Sequence, residues 1–476
     1  MTQFLLNQQP VVLENVDPNL TVLNWLRNDR RRCGTKEGCA SGDCGACTVV
    51  IGSVEEGKMR YRSANGCLLL VAQLEGKQLL TVEDLADGGE LHPVQKEMAC
   101  GHASQCGFCT PGIVMSTFAL CHSGEPATAE AIHHHLGGNL CRCTGYRPIV
   151  DAAARLLASP KPDAFSAATA ATAATADRLA QMAAQPQAQE RVLMPASADA
   201  LADALLRYPQ ARLLAGGTDL NLLVTQAYRP HQQLIALQGV PELRGIRRRG
   251  AGLEIGAMTT LSDLQQGLRE SVPAFSEMLG RFASQQVRNQ GTLGGNIANA
   301  SPIGDCPPAL LALDARLRLR RGSAVREVAL ADFFTGYRQT LLQESEFISH
   351  ILIDDVTMSH NLRLWKVSKR REDDISAVFG AICIERDGEM IRRARVAFGG
   401  MAAIPARAYR CEALLSGKPF TRATLAAAAA ALAEDFTPMS DVRASSGYRL
   451  QVAKNLLARY YLDQTATCAV EVSDVR

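Results

Sequence analysis

The chain has 476 residues, 47% of them apolar, and its 50 lysines and arginines nearly balance 48 acidic residues to leave a net charge of +2. That length is more than one hydrophobic core can use and implies about three or four domains. The even charge balance supplies no global field that would direct the chain to nucleic acid, to an anionic membrane or to acidic partners.

The opening MTQFLLNQQPVV has no basic stretch followed by an apolar core and a small-residue cleavage site, so no secretory signal is expected. No apolar run approaches the roughly 20 residues of a membrane span, and the alanine-rich Leu425 to Leu432 reads as an ordinary helix. Two short strands are expected around Asn7-Gln8-Gln9-Pro10, then a helix starting near Asp17-Pro18. Arg30-Arg31-Arg32 reads as a solvated face beside the loop that follows.

That loop holds Cys39, Cys44 and Cys47 in C-x4-C-x2-C spacing, with Cys67 downstream, the plant-type spacing for a [2Fe–2S] centre. Gly38, Gly42 and Gly45 lie among the thiols, so the backbone can curl around an anionic cluster and aim N–H groups at its sulfurs. Zinc sites usually pair C-x2-C knuckles, whereas one loop here supplies three cysteines. The flanking runs CTVVIGSV and KMRYRSANGCLLLV read as strands, giving a small β-rich ferredoxin-like domain over 1–84.

From Pro93 to Leu157 the apolar residues recur at helical spacing through Ile113, Val114, Phe118 and Leu120, then Ile132, Leu136, Ile149 and Ala153. Cys106, Cys109, Cys141 and Cys143 sit where helices would begin, and free N–H groups there favour an anionic cluster. On spacing alone this second set could also hold zinc; the neighbouring loop points to iron. So many cysteines argue for metal ligation in a reducing cytoplasm rather than a disulfide framework. Most of Cys33, Cys100, Cys121, Cys306, Cys383, Cys411 and Cys468 are expected to be buried small hydrophobes. His133-His134-His135 would face three directions on a helix and reads as a surface or interface feature.

A helical domain over 85–158 is followed by residues 159–190, rich in Ala, Thr, Pro and Gln, which read as a linker. An α/β pattern then opens: a helix at Ala198–Tyr208, a strand at Ala211–Ala215 and a glycine turn. That turn, Leu213, Leu214, Ala215, Gly216, Gly217, Thr218, Asp219 and Leu220, could offer bare N–H groups to a pyrophosphate, with residues 291–305 as a second wall. Neither segment spells G-x-G-x-x-G, so a Rossmann site is not expected. Asp305 could accept from a ribitol or ribose hydroxyl and Lys366 could neutralise phosphate or flavin charge; ordinary surface ion pairing is the alternative for both. Beyond Trp365 the strands VFGAICIE and RRARVAFGG and a helical end read as a separate α+β domain.

The strings GCASGDCGACTVV, LHPVQ, SQCGFCTPGIVMS, GNLCRCTGYRPI, FASQQV, GTLGGNIANASPIGD and KRREDDIS span residues 38 to 376. With them the chain resembles the small subunits of bacterial xanthine dehydrogenases, in the molybdenum hydroxylase family. The resemblance implies a multidomain α+β protein: a β-grasp ferredoxin-like domain, a helical-bundle [2Fe–2S] domain, an α+β FAD-binding domain of the PCMH/VAO type over 191–368, and a C-terminal α+β flavoprotein domain over 369–476. It implies a cytoplasmic electron-transfer subunit for purine catabolism. A large partner subunit would hold the molybdenum cofactor and oxidise hypoxanthine or xanthine to urate. Two [2Fe–2S] clusters and FAD would carry the electrons to NAD, in paired heterodimers. No residue of this chain is expected to catalyse purine hydroxylation.

Residue by residue, the resemblance assigns one cluster to Cys39, Cys44, Cys47 and Cys67 and the other to Cys106, Cys109, Cys141 and Cys143. It puts residues 213–220 around the FAD pyrophosphate, with Thr292, Leu293, Gly294, Gly295 and Asn296 as the second wall. Phe282 would stack on adenine, and Asp305 and Lys366 would contact the flavin part. Gln105 and Cys143 would face the partner's pterin, and the loop of Arg370, Arg371 and Asp373 would govern NAD access. A flavin takes electrons singly and releases them as a hydride, which is the converter two one-electron clusters need. Two other readings stay open: the same module serving another molybdenum hydroxylase, acting on an aldehyde or N-heterocycle, and a zinc-stapled interaction protein.

Overall fold

In the first strand, β1 (Thr2–Leu6), alternate side chains part company: Phe4 and Leu6 enter one buried cluster with Trp25, while Leu5 enters another with Ile113 and Phe118. Period-two alternation with both faces apolar means that this sheet is covered on both sides. β1 pairs with β2 (Gln9–Leu13), and β3 (Thr48–Glu55), β4 (Lys58–Asn65) and β5 (Gln78–Leu80) complete a sheet ordered β2-β1-β5-β3-β4. β1 and β5 run parallel and the other pairs antiparallel.

The computed structural model describes residues 1–166, 169–183, 190–357 and 359–465. They form two compact units: residues 1–241 with 283–291, and residues 242–282 with those from 292 onward.

In the first unit the helix expected near Asp17 starts later. Asp17 accepts from the Asn19 backbone N–H at 2.9 Å to close a turn, and Thr21 caps α1 (Val22–Asn24) by accepting from the Asn24 N–H at 3.2 Å. The run after Cys67 is not strand: the amides of Leu68 and Leu69 turn back onto the Asn65 carbonyl at 3.0 and 2.9 Å. Four helices follow, α2 (Pro93–Cys100), α3 (Thr110–Cys121), α4 (Ala129–Leu136) and α5 (Arg147–Ala158). α3 is apolar and buried nearly all round because the sheet flanks it on one side and helices on the other.

The expected linker over 159–190 is overturned in part. Residues 170–183 form α6, in which Leu179 is 1% exposed, and Phe165 ahead of it is buried. Arg178 donates to the Gln8 carbonyl at 2.9 Å, and Asp163 accepts from His92 at 2.9 Å and His122 at 3.1 Å. Composition averaged over the window hid these few well-spaced anchors. Residues 167, 168 and 184–189, the rest of the expected linker's interior, lie outside the described residues, as does Cys468.

The unit also carries a small parallel sheet with Leu234–Ala236 between Val192–Leu193 and Arg212–Leu214. Leu214, Leu234 and Ala236 share a buried cluster with Leu70 and Ala72, so this sheet rests on the turn that follows Cys67.

The second unit has two larger antiparallel sheets beside a two-stranded one that pairs Phe334–Gly336 with Gln339–Thr340. One orders Ala324–Ala329, Arg316–Arg321, Phe347–Ile353, Gly252–Gly256 and Ile246–Arg249. The other orders Leu362–Val367, Val378–Asp387, Met390–Gly399 and Ala406–Arg407. Alternation again divides the labour: Phe379 and Ala381 join the core of the first sheet, whereas Val378 and Ile382 face the helices Tyr409–Leu415, Arg422–Asp435 and Ser446–Thr465. The strand carrying Lys366 belongs to the C-terminal sheet, ahead of the boundary expected at residue 368.

Candidate iron–sulfur and flavin sites

The first cysteine loop folds around sulfur. The Sγ of Cys39 accepts the amides of Ser41 and Cys44, both at 3.4 Å. The four thiols meet in twos, Cys39 with Cys44 and Cys47 with Cys67. The Cys44 thiol beside it holds Cys39 down to about 4 against the opposing effect of burial, while Cys44 itself is pushed up. In the same way Cys67 lowers Cys47 and is itself raised by Cys47 and by burial. In each pair one thiol is lowered and its neighbour raised, because a lone negative charge is shared between the two sulfurs, and a metal ion bound there would let both ligate as thiolates. Cys47 and Cys67, both 2% exposed, are sealed by Leu23, Leu68 and Leu222.

The second set also meets in twos. Cys109, at the start of α3, pairs with Cys141 in the interior, and Cys106 pairs with Cys143 at the surface. Burial, then Cys141, raise Cys109 to about 12. Burial also raises Cys141, but the Thr144 hydroxyl 3.1 Å from its sulfur helps bring it below its ordinary value. Cys109 caps its helix as expected, whereas α5 begins only at Arg147, after Cys141 and Cys143. Gln105, next to Cys106 in the chain, is exposed. Among the described residues no three His, Cys, Asp or Glu side chains converge on one ion. The C-x4-C-x2-C spacing of the first set, with three cysteines in one loop, suits a [2Fe–2S] centre better than a zinc site built from paired knuckles.

The two loops touch through their backbones. The Leu140 amide donates to the Cys44 carbonyl at 3.0 Å, and a Cβ on Gly45, where φ is +69°, would lie 2.3 Å from the Gly138 oxygen. Only glycine fits there.

The glycine turn expected at the flavin also belongs to the first unit. A Cβ on Gly216 would sit 2.0 Å from the Gln290 carbonyl oxygen. Among the described residues no protein acceptor takes the amides of Gly216, Gly217 and Thr218, which leaves three donors for an anion. The Gln73 side chain donates to the Gly216 carbonyl at 3.3 Å, and Asn221 donates to the Leu68 carbonyl at 2.6 Å.

The segment expected as the second wall belongs to the second unit and differs. The Leu293 amide donates to Thr259 at 3.0 Å, Gly294 to Ala257 at 2.9 Å, Gly295 to the Thr292 side chain at 3.1 Å and Asn296 to the Thr292 carbonyl at 2.9 Å. Its backbone donors are committed, so what it can offer a ligand is the exposed Gly295 edge and the Asn296 side chain, whose Oδ1 is buried without a partner.

Asp305 and Lys366 meet each other rather than standing apart. The Lys366 ammonium donates to one carboxylate oxygen at 2.6 Å and the Ser376 hydroxyl to the other at 2.6 Å, with both charged side chains under 5% exposed. This is a buried pair, not the surface pairing considered as an alternative. Lys366 also lies 5.9 Å from the Phe282 ring centroid. In the exposed loop beyond, Arg370 donates to the Asp373 carbonyl at 2.9 Å and Arg371 faces Glu372 at 3.4 Å.

Four family models cover most of the chain. They are a 2Fe-2S iron-sulfur cluster binding domain over residues 4–72, a [2Fe-2S] binding domain over 81–154, the FAD binding domain in molybdopterin dehydrogenase over 185–353, and the CO dehydrogenase flavoprotein C-terminal domain over 363–464. The carbon monoxide dehydrogenase of Hydrogenophaga pseudoflava matches at 30% identity and a TM-score of 0.55, over 60% of this chain and 100% of that one. The chain belongs to the molybdenum hydroxylase family. Quinoline 2-oxidoreductase from Pseudomonas putida 86 matches at 28% identity and a TM-score of 0.54, over 59% of this chain and 98% of its own.

Among proteins of known sequence, this molybdenum hydroxylase chain is 31% identical to xanthine dehydrogenase of Emericella nidulans over 99% of its length and 39% of that protein. It is 30% identical to xanthine dehydrogenase/oxidase of Rattus norvegicus over 96% of its length and 38% of that protein. The chain therefore spans about two fifths of the length of these xanthine dehydrogenase relatives. It is an iron–sulfur/FAD chain of an oxidoreductase family, with two [2Fe–2S]-binding domains and an FAD-binding domain.

Several residues of this molybdenum hydroxylase chain that shape its sites were given no role by sequence reasoning: Gln73, Asn139, Asn221, Gln286 and Ser376 are all buried and all reach across the fold. Asn139, Gln286 and Ser376 lie inside the strings GNLCRCTGYRPI, FASQQV and KRREDDIS, whereas the only sequence signal of Gln73 and Asn221 is polar character inside apolar surroundings. Arg281, next to Phe282, donates to the Lys366 carbonyl at 3.2 Å and has its Nε buried without a partner. The three histidines diverge as expected, but His135 turns inward to 5% exposure, 3.3 Å from Glu125. Of the remaining cysteines, Cys306, Cys383 and Cys411 are buried, while Cys33, Cys100 and Cys121 lie at the surface. Among the described residues no helix is long and apolar enough to cross a membrane.

Proposed function

We propose that the chain is the electron-transfer subunit of a cytoplasmic xanthine dehydrogenase, working beside a large subunit that holds the molybdenum cofactor. Electrons from hypoxanthine or xanthine oxidation would cross it to FAD and leave on NAD. When bound, the clusters supply one-electron steps and the flavin converts them to hydride transfer.

The reading rests on one chain of contacts inside the first unit: Cys141 adjoins Leu140, which bonds the Cys44 carbonyl, while Cys67 adjoins Leu68, whose carbonyl takes the Asn221 side chain of the glycine turn. Surface Cys106 and Cys143, with Gln105, sit at one end of this series and the open amides of Gly216 to Thr218 at the other. In this reading Cys39, Cys44, Cys47 and Cys67 hold one cluster, and Cys106, Cys109, Cys141 and Cys143 hold the other. Residues 213–220 bind the FAD pyrophosphate, with Phe282, residues 292–296, Asp305 and Lys366 as further flavin contacts. The relatives named xanthine dehydrogenase favour a purine substrate over an aldehyde or another N-heterocycle.

The test is copurification with a molybdenum-containing large subunit, then xanthine-dependent NAD reduction by the complex. A complex that oxidises aldehydes or quinoline and leaves xanthine untouched would replace the substrate assignment. Colourless protein that carries zinc and no iron, sulfide or flavin would remove the electron-transfer assignment.

A further inference from the structure

Gln286 is fully buried in the helix Gln285–Gln290, within the segment 283–291 that packs into the first unit although the chain on either side of it belongs to the second. Its Nε2 lies 3.2 Å from Thr48 Oγ1, 3.1 Å from Ser116 Oγ and 3.0 Å from Asn139 Oδ1. Each partner is close in sequence to a cluster cysteine: Thr48 follows Cys47, Ser116 is on the helix that Cys109 caps, and Asn139 precedes Leu140 and Cys141. The partners also bind one another. Ser116 donates to Asn139 Oδ1 at 2.6 Å, and both Asn139 and Thr48 donate to the Gly45 carbonyl, at 3.0 and 2.7 Å.

Turning the Gln286 carboxamide over would set two carbonyl oxygens against each other at the Asn139 contact, so the network fixes its orientation even though Oε1 is left without a partner. All four side chains are buried, and a buried network of this kind holds its members rigidly. The segment is also pressed close: a Cβ on Gly138 would lie 2.3 Å from the Ser284 Cβ.

We propose that Gln286 is a positioning residue for the two cluster sites, holding the loop of Cys44 and Cys47 against the loop of Cys141 at the spacing marked by the 3.0 Å bond from Leu140 to Cys44. The proposal rests on the cluster reading above. It also gives the segment 283–291 a purpose within the first unit, as the element that brings Gln286 between the two cluster loops.

The experiment uses the full chain with its iron and flavin, reduced by dithionite, and low-temperature electron paramagnetic resonance. Magnetic splitting between two reduced clusters reports their separation and orientation independently of turnover. Gln286→Met keeps the volume and removes the donors; the expected result is normal iron and flavin content with the splitting lost or altered. Ser116→Ala, which takes one bond from Asn139, should alter it in the same sense and is read in its place if Gln286→Met fails to fold. Unchanged splitting in an iron-replete variant overturns the proposal, even if its melting temperature falls. An unsubstituted chain that takes up no iron ends the cluster reading itself, and the inference with it.

Discussion

The side-chain amide of Asn221 donates to the backbone carbonyl of Leu68 at 2.6 Å, across 153 positions of sequence. Leu68 follows Cys67, and Asn221 closes the glycine turn by donating its own amide to the Gly217 carbonyl at 3.0 Å. One buried carboxamide therefore registers the glycine turn against the segment that follows Cys67. Asn221→Ala should cost about 1–3 kcal/mol, since it leaves a buried carbonyl without its donor. The expected result is a lower flavin-to-protein ratio with iron content unchanged; flavin content and melting temperature equal to the unsubstituted chain would count against this role.

Two alanine substitutions should separate the sites. At Gly216 a Cβ would overlap the Gln290 carbonyl at 2.0 Å, so Gly216→Ala should displace the turn and deplete flavin. At Gly45 the Cβ would meet Gly138 at 2.3 Å, and φ of +69° adds strain, so Gly45→Ala should deplete iron instead. Metal analysis and flavin absorbance on both proteins check this, and equal loss of iron and flavin in the two would contradict it.

Asp305 and Lys366 form a buried pair in the second unit. Removing one partner strands the other charge, so Asp305→Ala and Lys366→Met should each destabilise by about 3–5 kcal/mol, and the double variant by less than their sum. Denaturant midpoints give the cycle. Additive losses would mean that the two charges act independently. Both single variants should also hold flavin more weakly and keep their iron.

Asp163 clamps the chain ahead of α6 to His92 and His122. Burial raises its carboxyl, but the bonds from His122 and His92 outweigh burial and hold it far below the usual carboxylate range. A depressed folded value means that the stabilisation is present above the unfolded value of about 3.9 and is lost as pH falls further. Hydrogen exchange should find α6 protected near neutral pH and released on acidification below about pH 4. Asp163→Ala should release it at neutral pH as well. Protection in that variant equal to the unsubstituted chain would show that the clamp is dispensable.

The curl of the first cysteine loop was legible because it is local: three thiols within nine positions, interleaved with glycines, leave the backbone little choice but a tight loop with its amides turned toward sulfur. The strands of the first sheet and the helices bearing the second cysteine set were legible for a similar reason, since period-two and helical spacing register which face is buried. Residues 170–183 were not, because Leu179 and Phe165 are too few to shift the composition of an Ala/Thr-rich window even though they anchor it.

By itself, then, the sequence determined which sulfurs and which glycine turns are available, since spacing along the chain decides what one loop can wrap. Only the tertiary structure decided how the loops are joined. The bonds from Asn221 to Leu68 and from Gln286 to Thr48 cross 153 and 238 positions, and Lys366 finds Asp305 across 61. A buried hydrogen bond between distant residues leaves no periodic trace in either partner. It is fixed by the packing that excludes water from both, and that packing exists only in the folded chain.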